Sequence, residues 1–290
     1  MASSPALPLA GGIRRRLDRG ALVLPGLAIL TLGFLMPLAL LLPQSLQDPD
    51  FGLGAYGRLF GESVYLNIVL NTARLAVIAT VCCVVFGYPL ALWISRLGPR
   101  MRIVALVALI LPFWVSILVR TYSWIVLLGR EGVINTILMR LGIVDEPLSF
   151  LYRELGVMIG TINILAPFFV MPMVAAMSAI DPRLGQAALS LGASRFQAFW
   201  RVFFPLTVPT LVTGAFLVFI LTFGFYVTPA VIGGGRVKML ATLLDHLINT
   251  SSDWSLAAAL SFFLLLATLG VFMLARALAT LARAGGRRAR

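Results

Sequence analysis

Six apolar stretches, each about as long as a helix needs to cross a bilayer's hydrocarbon core, dominate this chain: residues 21–42, 68–94, 103–128, 155–180, 206–232 and 256–279. Lipid offers no water to a backbone amide, so a spanning segment must be a helix or part of a closed barrel. The residue-by-residue alternation of a membrane barrel is absent. The chain is therefore expected to be all-α, a polytopic membrane protein with six transmembrane helices. Composition agrees: 60% of the residues are apolar and 12% charged, against about a quarter charged in soluble domains. The first stretch is longer than a signal-peptide core, and its prolines stand where a cleavage site would be, so a retained helix is expected. Cys82 and Cys83 adjoin in the second stretch, with no disulfide or metal-ligand spacing; they read as small apolar core residues.

Charge sets the orientation. With the N-terminus inside, the inner segments hold 15 of the 23 Lys and Arg but two of the 11 acids, Asp18 and Asp181. Basic residues collect on the cytoplasmic side of membrane proteins, so both termini are expected there. The net charge of +12 is a signal of topology and lipid headgroups; it is not gathered into a face for nucleic acid. Three parts are expected: a basic cytoplasmic tail over 1–20, a membrane domain over 21–279, and a second basic cytoplasmic tail over 280–290. Outside, residues 132–141 carry Val133, Ile134, Ile137, Leu138 and Leu141 on one helical face, which suits a short helix lying on the outer surface or packed beneath a partner. His246, the one histidine, has no companions for a metal set.

The cytoplasmic segment 181–205 is more than a connector. Asp181-Pro182 pairs an N-cap with proline at the first helical position, and Gly192 is placed to stop the helix in the left-handed region. Ser194 to Gln197 then reads as a capping box opening a second helix, and Pro205 and Pro209 are expected to break or kink the entry into the fifth span. Two short helices at an angle result, with small side chains at Ala187, Ala188, Gly192 and Ala193. Local physics leaves two readings open: a loop packed on its own bundle, or a surface for another protein's backbone.

The same residues carry a resemblance. The stretch from Gln186 is similar to the cytoplasmic loop of permease subunits in binding-protein-dependent ABC importers. That loop reads E-A-A, three residues, G, nine residues, I, any residue, L-P. Gln186, Ala187, Ala188, Gly192, Val202, Phe204 and Pro205 stand at its positions, with Gln for Glu, Val for Ile and Phe for Leu. Segments 111–124, 141–151, 167–181 and 224–234 further resemble the spermidine/putrescine branch. The resemblance implies the MetI-like fold of type I ABC importer permeases and a coupling loop (Gln186, Ala187, Ala188, Gly192, Ala193, Ser194, Pro205) docked on a separate ATPase. It implies a second, non-identical permease, an extracytoplasmic solute-binding protein, a bacterial inner-membrane location, and no cofactor on this chain, ATP and Mg belonging to the partner ATPase. Without the glutamate, an ion pair at Gln186 is not implied. The chain has no G-x-x-x-x-G-K-[ST] phosphate loop of its own.

Polar residues within the spans mark a candidate translocation path. Asn71 and Arg74 share a face of the second helix, Ser116 and Arg120 share one on the third, and Thr222 and Tyr226 on the fifth; Asn163 stands on the fourth. Each Arg either lines a wet cavity or snorkels to outer headgroups. No Asp or Glu lies within a span, so a cationic polyamine would meet a passage that merely tolerates it, with selection left to the binding protein. Importers of other small solutes (an opine, an amino-acid derivative, ferric ion) are the alternative. A secondary transporter would be expected to hold an intramembrane acid or His, and an enzyme a catalytic set; neither pattern is present.

Overall fold

The computed structural model describes residues 24–47 and 52–288, with 274–288 as backbone only; the expected tail 1–20 lies outside the described residues. The helices are α1 (Leu24–Ser45), α2 (Gly54–Gly61), α3 (Ser63–Ser95), α4 (Pro99–Ile110), α5 (Ile117–Leu128), α6 (Val133–Arg140), α7 (Glu154–Ser178), α8 (Pro182–Ser190), α9 (Arg195–Phe223), α10 (Val227–Gly233), α11 (Leu240–Asn249) and α12 (Trp254–Arg288). Among the described residues, α1, α3, α7, α9 and the first twenty residues of α12 are each long and apolar enough to span a membrane. The chain is all-α and multi-pass, as expected.

The third span differs from the expected continuous helix over 103–128. A 3-10 turn, Leu111–Trp114, follows α4, and Val115 and Ser116 are extended before α5 begins. The two halves, Pro99–Trp114 and Ile117–Arg140, are bent by 98°. Pro112 has no N–H to continue the ladder, and the chain restarts from Ser116 as N-cap. The fifth span also ends early. Helix α9 stops at Phe223, Gly224 caps it, and Tyr226 becomes the N-cap of the separate α10.

By its contacts the chain forms two compact units. One comprises residues through Gly61 with Ser252–Leu264. Here Ser45 Oγ shares a 2.9 Å hydrogen bond with Tyr56, Arg58 Nη1 donates to Asp253 Oδ2 at 2.8 Å, and Phe60 meets Phe263 edge-on. The other comprises Glu62–Ser251 with Leu265–Arg290, and its core is where α3, α7 and α9 meet. Phe169 of α7 is fully buried between them. A Cβ on Gly87 of α3 would stand 2.7 Å from its ring, and one on Gly214 of α9 3.1 Å, so both neighbours are glycine to let the helices close. Cys83 lies in this core, in agreement with its apolar setting in the sequence, with Cys82 half-buried beside it. Buried hydroxyls tie elements together: Thr72 Oγ1 accepts from the Leu240 N–H at 3.0 Å, and Tyr88 bonds Thr207 at 3.0 Å.

The short helix expected over 132–141 is present as α6 with its apolar face outward, and its polar Asn135 turned inward. Val133, Ile137 and Leu141 are exposed, while Asn135 is fully buried. Its amide donates to the carbonyls of Gly129 and Leu148 and accepts from the Leu148 N–H, all at 2.9–3.0 Å. A satisfied amide can be buried at little cost, and this one fastens the loop to the helix.

Candidate functional site

The turn between α8 and α9 is built as its residues require. Asp181 Oδ1 accepts from the Arg183 N–H at 2.9 Å, with Pro182 at the first helical position. At the other end Gly192 has φ +86; its N–H donates to Leu189 O and that of Ala193 to Ala188 O, both at 3.0 Å. That pair of bonds is the Schellman stop. The capping box is complete: Ser194 Oγ accepts from the Gln197 N–H and Gln197 Oε1 from the Ser194 N–H. The helix that this box opens is not the separate short one expected. It is the first turn of α9, joined to the span through a π turn at Phe199–Phe203. The widened ladder of that turn takes up Pro205, and Pro209 lies inside the helix.

Gln186, Ala187, Gly192, Ser194 and Pro205 are exposed; Ala188 and Ala193 are half-buried. No atom lies within 4 Å of where a Gly192 side chain would begin, so glycine serves the backbone angle there and fills no tight contact. Around it stand apolar side chains that sequence reasoning passed over: Leu191 is 89% exposed and Phe196 72%. Their signal was present, since both are large apolar residues beside the stop and the capping box.

The candidate path residues do not form one surface. Asn71 and Arg74 do come together: Arg74 Nη2 donates to Asn71 Oδ1 at 3.0 Å, and Asn71 Nδ2 to Lys238 O at 3.1 Å. Arg74 also pairs with Glu154, in the first turn of α7, where the helix dipole favours a carboxylate. Neither a wet cavity nor snorkelling to headgroups included this partner. Helix α3 has 33 residues, about 50 Å against about 30 Å of hydrocarbon, which leaves length for this cluster beyond the apolar core.

Arg120 lies with its guanidinium carbon 5.0 Å from the centre of the Phe113 ring, across the break in the third span, and its Nε is buried without a partner. Phe113 meets Phe168 edge-on at 5.3 Å. Both rings line a cavity of about 600 Å³ with Trp114, Pro167, Met171 and Leu217. Ser116 is the exposed N-cap of α5, and Asn163 accepts from Trp124 Nε1 at 3.4 Å. Thr222 and Tyr226 do not share a helical face. Thr222 is buried and donates to Val218 O, whereas Tyr226 lies past the helix end, beside the Asp245 carboxylate. The structure thus adds Glu154, at the start of α7, and Asp245 of α11, carboxylates that stand beside candidate path residues. No spacing in the sequence announces such contacts.

Residues 84–283 match the family described as the binding-protein-dependent transport system inner membrane component. Among similar curated proteins, the spermidine/putrescine transport system permease protein PotB of Haemophilus influenzae is 35% identical over 223 residues, 77% of this chain and 78% of that one. PotB of Escherichia coli K12 is 34% identical over 214 residues, 74% and 78% of the two chains. The putative 2-aminoethylphosphonate transport system permease protein PhnU of Salmonella typhimurium is 28% identical over 262 residues, 88% and 90%. In fold, the chain is similar to a chain of a bacterial ABC transporter involved in the import of the acidic polysaccharide alginate, with TM-score 0.73, 20% identity, and 92% and 96% of the two chains covered. By the family match and by this likeness over most of its length, the chain belongs to the inner-membrane permease components of binding-protein-dependent ABC importers.

Proposed function

We propose that this permease imports a small cationic solute of the polyamine class, as half of a non-identical pair, by alternating access. A separate ATPase drives it through the turn between α8 and α9. The observation that carries the coupling reading is that turn: rigidly capped at both ends, yet exposing Leu191, Gly192 and Phe196. Apolar side chains on a pre-ordered turn suit a protein groove, because little conformational entropy is lost on docking. Both termini then face the cytoplasm, in keeping with the Arg-rich segments on the same side. An extracytoplasmic binding protein delivers the solute, ATP and Mg stay on the ATPase, and this chain catalyses no reaction of its own.

The polyamine reading is supported by the PotB relatives and by Asp245 on α11, a carboxylate outside the spans that stands beside Tyr226. The rings of Phe113, Trp114 and Phe168 add faces that attract ammonium groups. The test is uptake of labelled putrescine into proteoliposomes holding the full transporter, with and without ATP, against 2-aminoethylphosphonate as competitor. ATP-dependent uptake blocked by spermidine supports the reading. Accumulation without ATP overturns the coupling, and block by the phosphonate alone overturns the solute class.

A further inference from the structure

A second cavity, of about 380 Å³, lies where the C-terminal end of α3, the start of α4, the end of α7 and the first turns of α8 meet. Arg96 and Arg102 line it together with Asp181. Arg102 is held in place: its Nη2 donates to Ser95 O at 2.7 Å and to Leu97 O at 3.1 Å. Its Nε is nevertheless buried with no partner. An unpaired buried N–H of a cation costs free energy unless a ligand meets it, and a guanidinium fork held in one orientation suits phosphate oxygens. The Asp181 carboxylate is occupied as the cap of α8, so the three charged lining groups leave the site one net positive charge. Much of the remaining wall is apolar, with Met177, Ile180 and Phe203.

We propose that this cavity binds a singly charged phosphate group, supplied by an anionic phospholipid headgroup. A phosphodiester keeps one negative charge throughout this pH range, matching the site, whereas free phosphate near neutrality divides between singly and doubly charged forms, and the doubly charged form would meet Asp181. The apolar wall accommodates the glycerol and upper acyl carbons. Basic pockets between helices at a membrane surface select lipid headgroups in this way. Because Pro182, Leu184 and Gly185 form part of the wall, an occupied site would brace α8 against the ends of α3 and α7. The inference does not depend on the solute or on ATP coupling.

Native mass spectrometry of the purified full chain, in micelles with equal phosphatidylglycerol and phosphatidylcholine, tests it. Wild type should retain phosphatidylglycerol in several-fold excess, and Arg96→Ala and Arg102→Gln should each erase most of that excess. Arg100→Ala, two residues before Arg102 on α4 and absent from the cavity wall, should not. Since Arg102 also holds the α3–α4 turn, helicity by circular dichroism accompanies each variant, and the exposed Arg96 gives the cleaner answer if Arg102→Gln misfolds. Hydrogen exchange over 182–190 should slow with phosphatidylglycerol present. Displacement of the lipid by millimolar inorganic phosphate would keep the phosphate site but assign it to the free ion. Equal retention of the two lipids, or an Arg100→Ala loss as large as that of Arg96→Ala, overturns the proposal. So does loss of ATPase capture in Arg96→Ala with lipid retention unchanged.

Discussion

Two interruptions of helix, one at Leu191–Ser194 and one at Leu111–Ser116, behave differently, and the difference separates local from tertiary causes. The first is specified by its own residues: a left-handed glycine, a serine cap and a glutamine three positions on, each making the bond its chemistry calls for. The second rests on Pro112, yet Pro89, Pro167, Pro172 and Pro209 all lie inside continuous helices of the same protein. Proline removes a hydrogen bond wherever it sits. Whether the chain then kinks or breaks depends on what else can hold the freed segment, and here the Phe113–Phe168 and Arg120–Phe113 contacts do.

The largest effect should come at the first turn. Gly192→Val places a β-branched side chain in a left-handed conformation, at a cost of about 1–2 kcal/mol, roughly five- to thirtyfold in an equilibrium constant. With open space around the site, the chain should still fold, so ATP-driven uptake should fall by about tenfold or more while the melting temperature moves by a few degrees. Undiminished uptake would break the link between the turn and the motor. At the second interruption, Arg120→Ala removes a cation–π contact worth about 0.5–2 kcal/mol and should lower uptake several-fold. Arg74→Ala, which loses an exposed ion pair worth about 0–1 kcal/mol, should change it less than about twofold. Unchanged uptake in both variants would take these arginines out of the path.

A smaller effect sharpens the local half of the comparison. Ser194→Ala removes one arm of the capping box and should cost about 1 kcal/mol, read as faster hydrogen exchange at the Gln197 N–H. If exchange there is unaltered, the turn is held by its surroundings and the contrast with Pro112 weakens. Smallest is the cap of α12. Burial alone would raise the Asp253 carboxyl, but Arg58 donating to it, with the Leu256 N–H and Ser255 hydroxyl, holds it below the usual carboxylate range. A carboxyl lowered in the folded state stabilises it above its unfolded value of about 4 and ceases to do so as pH falls through the folded value. Wild type should therefore lose about 1 kcal/mol or less below pH ~4. Asp253→Asn should lose that pH dependence, measured by thermal unfolding in detergent.

The contrast explains why expectation and structure parted where they did. The helix–stop–helix around Gly192 was legible because capping bonds join residues two to five apart. Pairing Thr222 with Tyr226 on one face assumed helix through Gly224, where the chain stops and restarts. At α6 the exposed Val133 and Ile137 suit the surface helix expected, and what spacing did not show is the buried Asn135. An apolar stripe is expected to bury itself in water, but lipid or a partner subunit can cover Val133 and Ile137, and the loop's own polar needs decided that Asn135 goes in.

By itself the sequence determined the all-helical membrane class, the spans of α1, α3 and α7 to within a few residues, and the capped turn. Hydrophobic length, backbone satisfaction in lipid and short-range capping bonds act within a segment. The tertiary structure alone decided which proline breaks a helix, that Arg74 meets Glu154 and Tyr226 meets Asp245, and that Arg102 stands in a cavity beside α8. Those outcomes depend on helices far apart in the chain packing together, and short-range spacing carries no record of which residues will face one another across that contact.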